Sequence, residues 1–109
     1  MKQLRELLAG DDTVWVYLKN EEVCRQFYRQ AKEEGFRFGY IPFEQWAFGF
    51  VVALHSDGTL AHLPLRIWTA SFTNGKWNST PGSHTPVDYS RFISGEDDYR
   101  CKDSYFSFV

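Results

Sequence analysis

Two apolar runs, residues 45–55 and 60–72, stand on either side of Ser56-Asp57-Gly58-Thr59. Asp-Gly between strand-like runs is a strong hairpin signal, because both residues tolerate the positive φ angles of a two-residue type I′ turn. The pair commits the chain to an antiparallel sheet and sets which residues oppose one another. With Asp57 and Gly58 as the loop, one face collects Leu54–Ala61, Val52–Leu63, Phe50–Leu65, Phe48–Ile67 and Trp46–Thr69. This is the expected core face. The other face collects His55–Leu60, Ala53–His62, Val51–Pro64, Gly49–Arg66 and Ala47–Trp68. Pro64 strains this register: it has no ladder N–H, and a bulge there would exchange the faces beyond it. The simple register is kept because it leaves Leu65 and Ile67 inside.

The flanking segments complete an α+β domain over 1–109. A small antiparallel sheet of about 5–6 strands is expected, with one main helix. That helix spans about 21–34: Asn20 is suited to cap it, Glu21 and Glu22 suit its positive end, and Gly35 can end it. Its apolar stripe is Val23, Cys24, Phe27, Tyr28 and Ala31. Short helices are expected near 2–9, on Leu4, Leu7 and Leu8, and near 88–94, capped by Asp88 with Val87 and Phe92 as a hydrophobic staple. Thr13 to Lys19 reads as a central strand, since Val14, Val16 and Leu18 line one face and Trp15 and Tyr17 the other. Phe36, Phe38 and Tyr40 alternate as a short strand closed by Pro42. Asn74-Gly75 marks a second turn that would set Phe72 against Trp77. Residues 78–86 are loop by composition, and 105–109 a last strand.

Ten Phe, six Tyr and four Trp in 109 residues mean that rings build most of the core. Phe27, Phe36, Phe48, Phe50 and Trp46 are assigned there. The net charge of −2 comes from scattered charges, which argues against duplex nucleic-acid binding. Cys24 and Cys101 are either one disulfide or two buried thiols; a reducing cytoplasm favours thiols. The N-terminal residues lack a signal-peptide pattern and no run reaches membrane-spanning length, so the chain reads as cytoplasmic.

No phosphate loop, metal-ligand spacing or nucleophile motif is present, so no cofactor or catalytic role is assigned. His62 has the chemistry of a general base, against the ordinary reading of a satisfied polar residue. Glu96-Asp97-Asp98 with Asp103 has cation-binding chemistry, against that of a solvated charge run. The second sheet face gathers Arg66, Trp68, Phe72 and His62 over a floor of small residues, Ala47 and Gly49, with Asn74 at the next turn. A guanidinium beside stacking rings suits an anionic aromatic ligand. The same set suits a subunit interface. Two plainer readings stand beside these: Arg66 pairs with an acidic neighbour, and Trp68, Phe72 and Trp77 close a second small core.

Three segments carry a resemblance: Val14-Trp15-Val16-Tyr17-Leu18-Lys19-Asn20-Glu21-Glu22 continuing to Gly35-Phe36, then Ala53 to Leu60 across the turn, then Val87-Asp88-Tyr89 to Asp98-Tyr99. Together they resemble small proteins carried by prophages and mobile elements of Gram-positive bacteria. The resemblance implies a setting in the bacterial host cytoplasm and an anti-defence role. Anti-Thoeris sponges are similar in plan: small oligomeric sheet-and-helix proteins that hold cyclic ADP-ribose isomers without cleaving them. Their pockets use an arginine, a ring and an amide, which Arg66, Phe72 and Asn74 would supply here. The expected function is thus non-catalytic sequestration of a nucleotide-type signal by a homo-oligomer, with Trp68 stacking and His62 nearby. The alternative is an anti-CRISPR-like inhibitor that docks on a host defence protein through the same face.

Overall fold

The computed structural model describes residues 3–8, 13–70, 72–73, 76–77 and 85–101, with the backbone alone at 72–73, 76–77 and 85. The described elements run α1 (Arg5–Leu8), β1 (Thr13–Tyr17), α2 (Glu21–Glu33), a 3-10 turn (Phe43–Gln45), β2 (Val51–His55), β3 (Leu60–His62), α3 (Leu65–Ala70), β4 (Phe72–Thr73), β5 (Lys76–Trp77), β6 (Thr85–Asp88) and α4 (Tyr89–Ile93). The fold is α+β with one main helix. The main sheet has four strands in the order β3-β2-β1-β6, and β4-β5 form a separate ladder. β1 is central, antiparallel to β2 and parallel to β6, so the sheet is mixed where an antiparallel one was expected.

Helix α2 forms where the sequence places it. The Asn20 carboxamide oxygen accepts from the Val23 N–H at 2.8 Å, so one orphan donor of the first turn is satisfied. At the other end Gly35 takes φ 89, and the Phe36 and Gly35 amides return to Ala31 and Lys32 at 2.8 and 3.0 Å. These two bonds are a Schellman closure, and it needs a residue at ease with positive φ. Asp88 caps α4 through the Ser90 N–H at 3.0 Å, and Val87 and Phe92 are both buried.

The two-faced reading of β1 holds. Val14, Val16 and Leu18 join Val52, Leu54, Leu60 and Val87 under α1, α2 and α4, with Phe27, Tyr89 and Phe92 between the layers. Trp15 and Tyr17 face a second, smaller cluster built on Val51, Trp68 and Cys101. Cys24 lies in the first cluster and Cys101 in the second, and both are free thiols.

Four expectations need correction. The first is the hairpin register. Leu54 pairs with Leu60 and Val52 with His62, one residue away from the two-residue-loop alignment. The His55 amide bonds the Thr59 carbonyl at 3.0 Å across a three-residue loop, whose third residue, Gly58, sits at φ 91. Asp57 Oδ1 accepts from both the amide and the hydroxyl of Thr59, which tightens this loop at the expense of the type I′ form. The shift carries Leu60 and His62 to the α2 side of the sheet and Ala61 to the other.

The second correction concerns residues 60–72, expected as one long strand. β3 ends at His62, and Pro64 opens α3: its carbonyl accepts from the Ile67 and Trp68 amides at 3.0 and 3.1 Å. A proline at a helix start sacrifices no bond, since amides there have no intrahelical partner. Thirdly, Phe48 is 42% exposed and lies outside the core to which it was assigned. Residues 36–40 make only a single bridge, Arg37 to Thr59; Phe36 and Phe38 are buried and Tyr40 is fully exposed. β4 and β5 do set Phe72 opposite Trp77. The expected strand at 105–109 and most of the 78–86 loop lie outside the described residues.

Candidate functional site

Of the residues expected to bind a ligand, the three whose side chains are described, His62, Arg66 and Trp68, are not gathered on one face. His62 lies on β3 and stacks its ring on Phe38 at 4.9 Å and 21°, on the α2 side of the sheet. Trp68 lies on the opposite side, completely buried and stacked on Tyr17 with centroids 6.3 Å apart. It has no face to offer a ligand, and the small-core reading of this tryptophan is the one observed. Arg66 is on the exposed face of α3. The side chain of Phe72, and Asn74 altogether, lie outside the described residues. The cause is the pair of backbone corrections above: a helix beginning at Pro64 rotates Arg66 and Trp68 by about 100° per residue instead of alternating them. The small floor survives in part, because Gly49 meets His62: a Cβ on Gly49 would lie 2.7 Å from the imidazole Nδ1.

A different site forms between α2 and residues 38–48. Arg25, Arg29 and Lys32 occupy successive turns on the solvent side of α2, left exposed because Cys24, Phe27, Tyr28 and Ala31 take the buried side. Facing them, the chain after Pro42 makes its 3-10 turn and returns as Trp46. The Trp46 indole N–H donates to the Ile41 carbonyl at 3.0 Å and closes the turn. The Tyr28 hydroxyl donates to the Ala47 carbonyl at 2.7 Å and ties the segment to α2. Edge-to-face contacts link Tyr28, Phe38, Phe43 and Trp46, with centroids 5.0–5.5 Å apart. These rings are a rigid wall, each contact adding about 0.5–1.5 kcal/mol beyond area burial.

Between wall and helix lies an open groove of about 380 Å³ lined by Arg25, Tyr28, Arg29, Phe43, Glu44 and Trp46. A recess of about 70 Å³ continues from it toward Cys24 and Phe48. Arg25 is held by Glu21 at 2.7 Å, both exposed, a contact worth about 0–1 kcal/mol. Lys32 sits 4.5 Å over the Phe43 ring. Arg29 makes no ion pair among the described residues. The groove therefore presents cationic side chains beside aromatic rings, and one of them, Arg29, is in no ion pair among the described residues.

Burial pushes the Cys24 thiol up, so it stays protonated and a poor nucleophile. Burial, then the neighbouring Cys24, pushes the Tyr28 hydroxyl far above the usual phenol range, so it remains a donor. Among the described residues no three His, Cys, Asp or Glu side chains converge as metal ligands, and no helix is long and apolar enough to cross a membrane.

His62 borders this wall through Phe38, and burial holds its imidazole below the ordinary value. The folded state thus binds the proton less well than the unfolded chain. His62 contributes its full share of stability above the unfolded value of about 6.5 and loses it as pH falls through the folded value. Thermal denaturation between pH 5 and 8 is expected to give a Tm that declines below pH about 6.5, with a shallower decline in His62→Gln. Equal slopes in the two proteins would remove His62 as a source.

Sequence signals for the groove existed: the i, i+4 spacing of Arg25 and Arg29 on the polar side of a secure helix, and Phe43 three residues before Trp46 after a proline. Nothing local joined them, because the two segments meet through tertiary contacts: the bond from Tyr28 to Ala47, the Tyr28–Trp46 ring pair and Lys32 over Phe43. The chain matches no family model, and no curated protein and no solved structure is significantly similar to it.

Proposed function

We propose that the protein is a non-catalytic binding protein that holds a nucleotide-type anion in the groove between α2 and the 43–46 turn. The observation that carries this is the exposed Arg29 guanidinium, in no ion pair among the described residues, beside Phe43 and Trp46 in the same concavity. An arginine supplies planar donors for a phosphate, and flat rings supply a stacking surface for a base. The volume, about 380 Å³, falls within the range of small-ligand sites. The anti-defence setting, sequestration of a signal by a mobile-element protein in the host cytoplasm, rests on the resemblance of the three segments and is proposed with it. Homo-oligomerisation belongs to the same reading, since Tyr40 and Ile41 are exposed apolar groups next to the site.

The test is thermal stabilisation by a panel of mononucleotides, cyclic nucleotides and ADP-ribose derivatives. A ligand at a hundredfold excess over its Kd is expected to stabilise the native state by about 2.7 kcal/mol. Arg29→Glu is expected to abolish the shift, and Arg66→Glu, on the far side of the sheet, to leave it intact. A second reading is favoured by the exposed Tyr40, Ile41 and Phe48: a protein inhibitor that docks on a defence enzyme through this surface. No shift with any panel member, together with a stable complex broken by Arg29→Glu, would transfer the assignment to that reading.

A further inference from the structure

A carboxylate sits where an anion-binding groove has no use for one. Glu44 lines the concavity from the 3-10 turn, next in sequence to Phe43 and two residues before Trp46. Its side chain makes no hydrogen bond and no ion pair among the described residues. Next to a phosphate it would be repulsive, so it gives the groove a polarity. The anionic end of a ligand belongs with Arg25 and Arg29 on α2, and the base belongs on the rings with its edge toward Glu44.

An ionised carboxylate accepts hydrogen bonds and donates none. It discriminates among bases by counting adjacent donors. The pairing edge of guanine offers two side by side, N1–H and the 2-amino group, which match the two oxygens of a carboxylate. Adenine offers its 6-amino group next to the N1 lone pair, and cytosine its 4-amino group next to the N3 lone pair. Uracil offers N3–H between two carbonyl oxygens. In each of these three an acceptor would face the carboxylate. We infer that the groove selects guanine nucleotides, with Glu44 reading the base edge while Arg29 holds the phosphate. This inference rests on the nucleotide-binding reading above and adds to it the identity of the base.

The experiment is calorimetric titration of the full chain with GMP, IMP, AMP and CMP at one ionic strength. GMP is expected to bind about tenfold tighter than AMP, the discrimination typical of one bidentate contact. IMP, which keeps N1–H and lacks the 2-amino group, is expected between them. Glu44→Gln places an amide donor where an acceptor stood and is expected to bring GMP and AMP within about threefold. Glu44 is exposed in a surface turn, so this variant keeps the fold. Equal affinities for GMP and AMP, or a preference that survives Glu44→Gln, would overturn the base assignment and leave nucleotide binding standing. No binding by any of the four at millimolar concentration, with no thermal shift from cyclic nucleotides or ADP-ribose derivatives, would overturn both.

Discussion

Trp68→Ala is expected to cost about 3–5 kcal/mol of unfolding free energy, read as a fall in the denaturation midpoint in urea or guanidinium. Trp68 is fully buried and is the largest side chain so enclosed among the described residues. It stacks on Tyr17 at an interplanar angle of 11° and anchors the second cluster with Val51 and Cys101. Helix α3 has six residues, too few to persist without tertiary contacts, and Trp68 is its buried residue. The truncation therefore opens a cavity and unties the helix at once. Trp68→Phe keeps a ring over Tyr17 and is expected to fall between alanine and the parent. A domain of this length has a total stability of about 5–15 kcal/mol, so the alanine loss would consume a large share. Had Trp68 been a solvent-facing platform, the change would stay within about 0.5 kcal/mol. A result that small would overturn the placement of α3.

The parts of the fold legible in the sequence are those in which several local signals agree. At α2 the cap Asn20, the apolar stripe and the terminating Gly35 each point to the same helix, and tertiary packing had nothing to override. The β1 strand is similar: alternate residues are apolar on both sides, which only a central strand tolerates. The hairpin carries a single signal. Asp-Gly is compatible with a two-residue loop and with a three-residue loop that puts glycine in its last position, and the choice depends on the Asp57–Thr59 contacts. One residue of difference inverts the faces of everything beyond it. Residues 65–68 were ambiguous for another reason. Leu65 and Trp68 are apolar at a helical interval, while Leu63, Leu65 and Ile67 are apolar at a strand interval, so periodicity alone did not decide.

The candidate site was less legible than the fold because its construction is tertiary. The chemistry sought in the sequence, a guanidinium next to stacking rings, recurs in the groove with Arg29, Phe43 and Trp46 in place of Arg66, Trp68 and Phe72. Trp46 was assigned to the core, and half of that is right: it is partly buried and packs against the main cluster, with the remainder lining the groove. A half-buried ring has no signature in sequence that separates it from a buried one. Likewise Arg25 and Arg29 read as an ordinary solvated helix face until the 43–46 turn is brought alongside.

The hydrogen-bonded chain running from α4 through α2 to α1 is expected to behave as one energetic unit. The Tyr89 hydroxyl, fully buried, donates to Gln30 Oε1 at 2.6 Å. Gln30 Nε2 donates to Glu34 Oε2 at 3.0 Å, and that oxygen also accepts the Leu4 amide at 2.8 Å at the start of α1. Burial, then the Glu34 charge, pushes the Tyr89 hydroxyl up to about 12, so it remains a donor across the working pH range. Tyr89→Phe keeps the edge-to-face contact with Phe27, 5.2 Å between centroids, and removes only the hydroxyl. Its expected cost is about 1–3 kcal/mol, because only one partner of a buried hydrogen bond is removed. Gln30→Leu is expected to cost about as much, since it strands the Tyr89 hydroxyl in an apolar layer. The double variant removes both partners together and leaves neither desolvated group behind. Its loss should fall short of the sum of the single losses by about 0.5–3 kcal/mol in a denaturation double-mutant cycle. Strict additivity would mean that the two side chains contribute independently of their mutual hydrogen bond. The link from α4 to the start of α1 would then have to be carried by the apolar contacts of Phe27, Phe92 and Leu4.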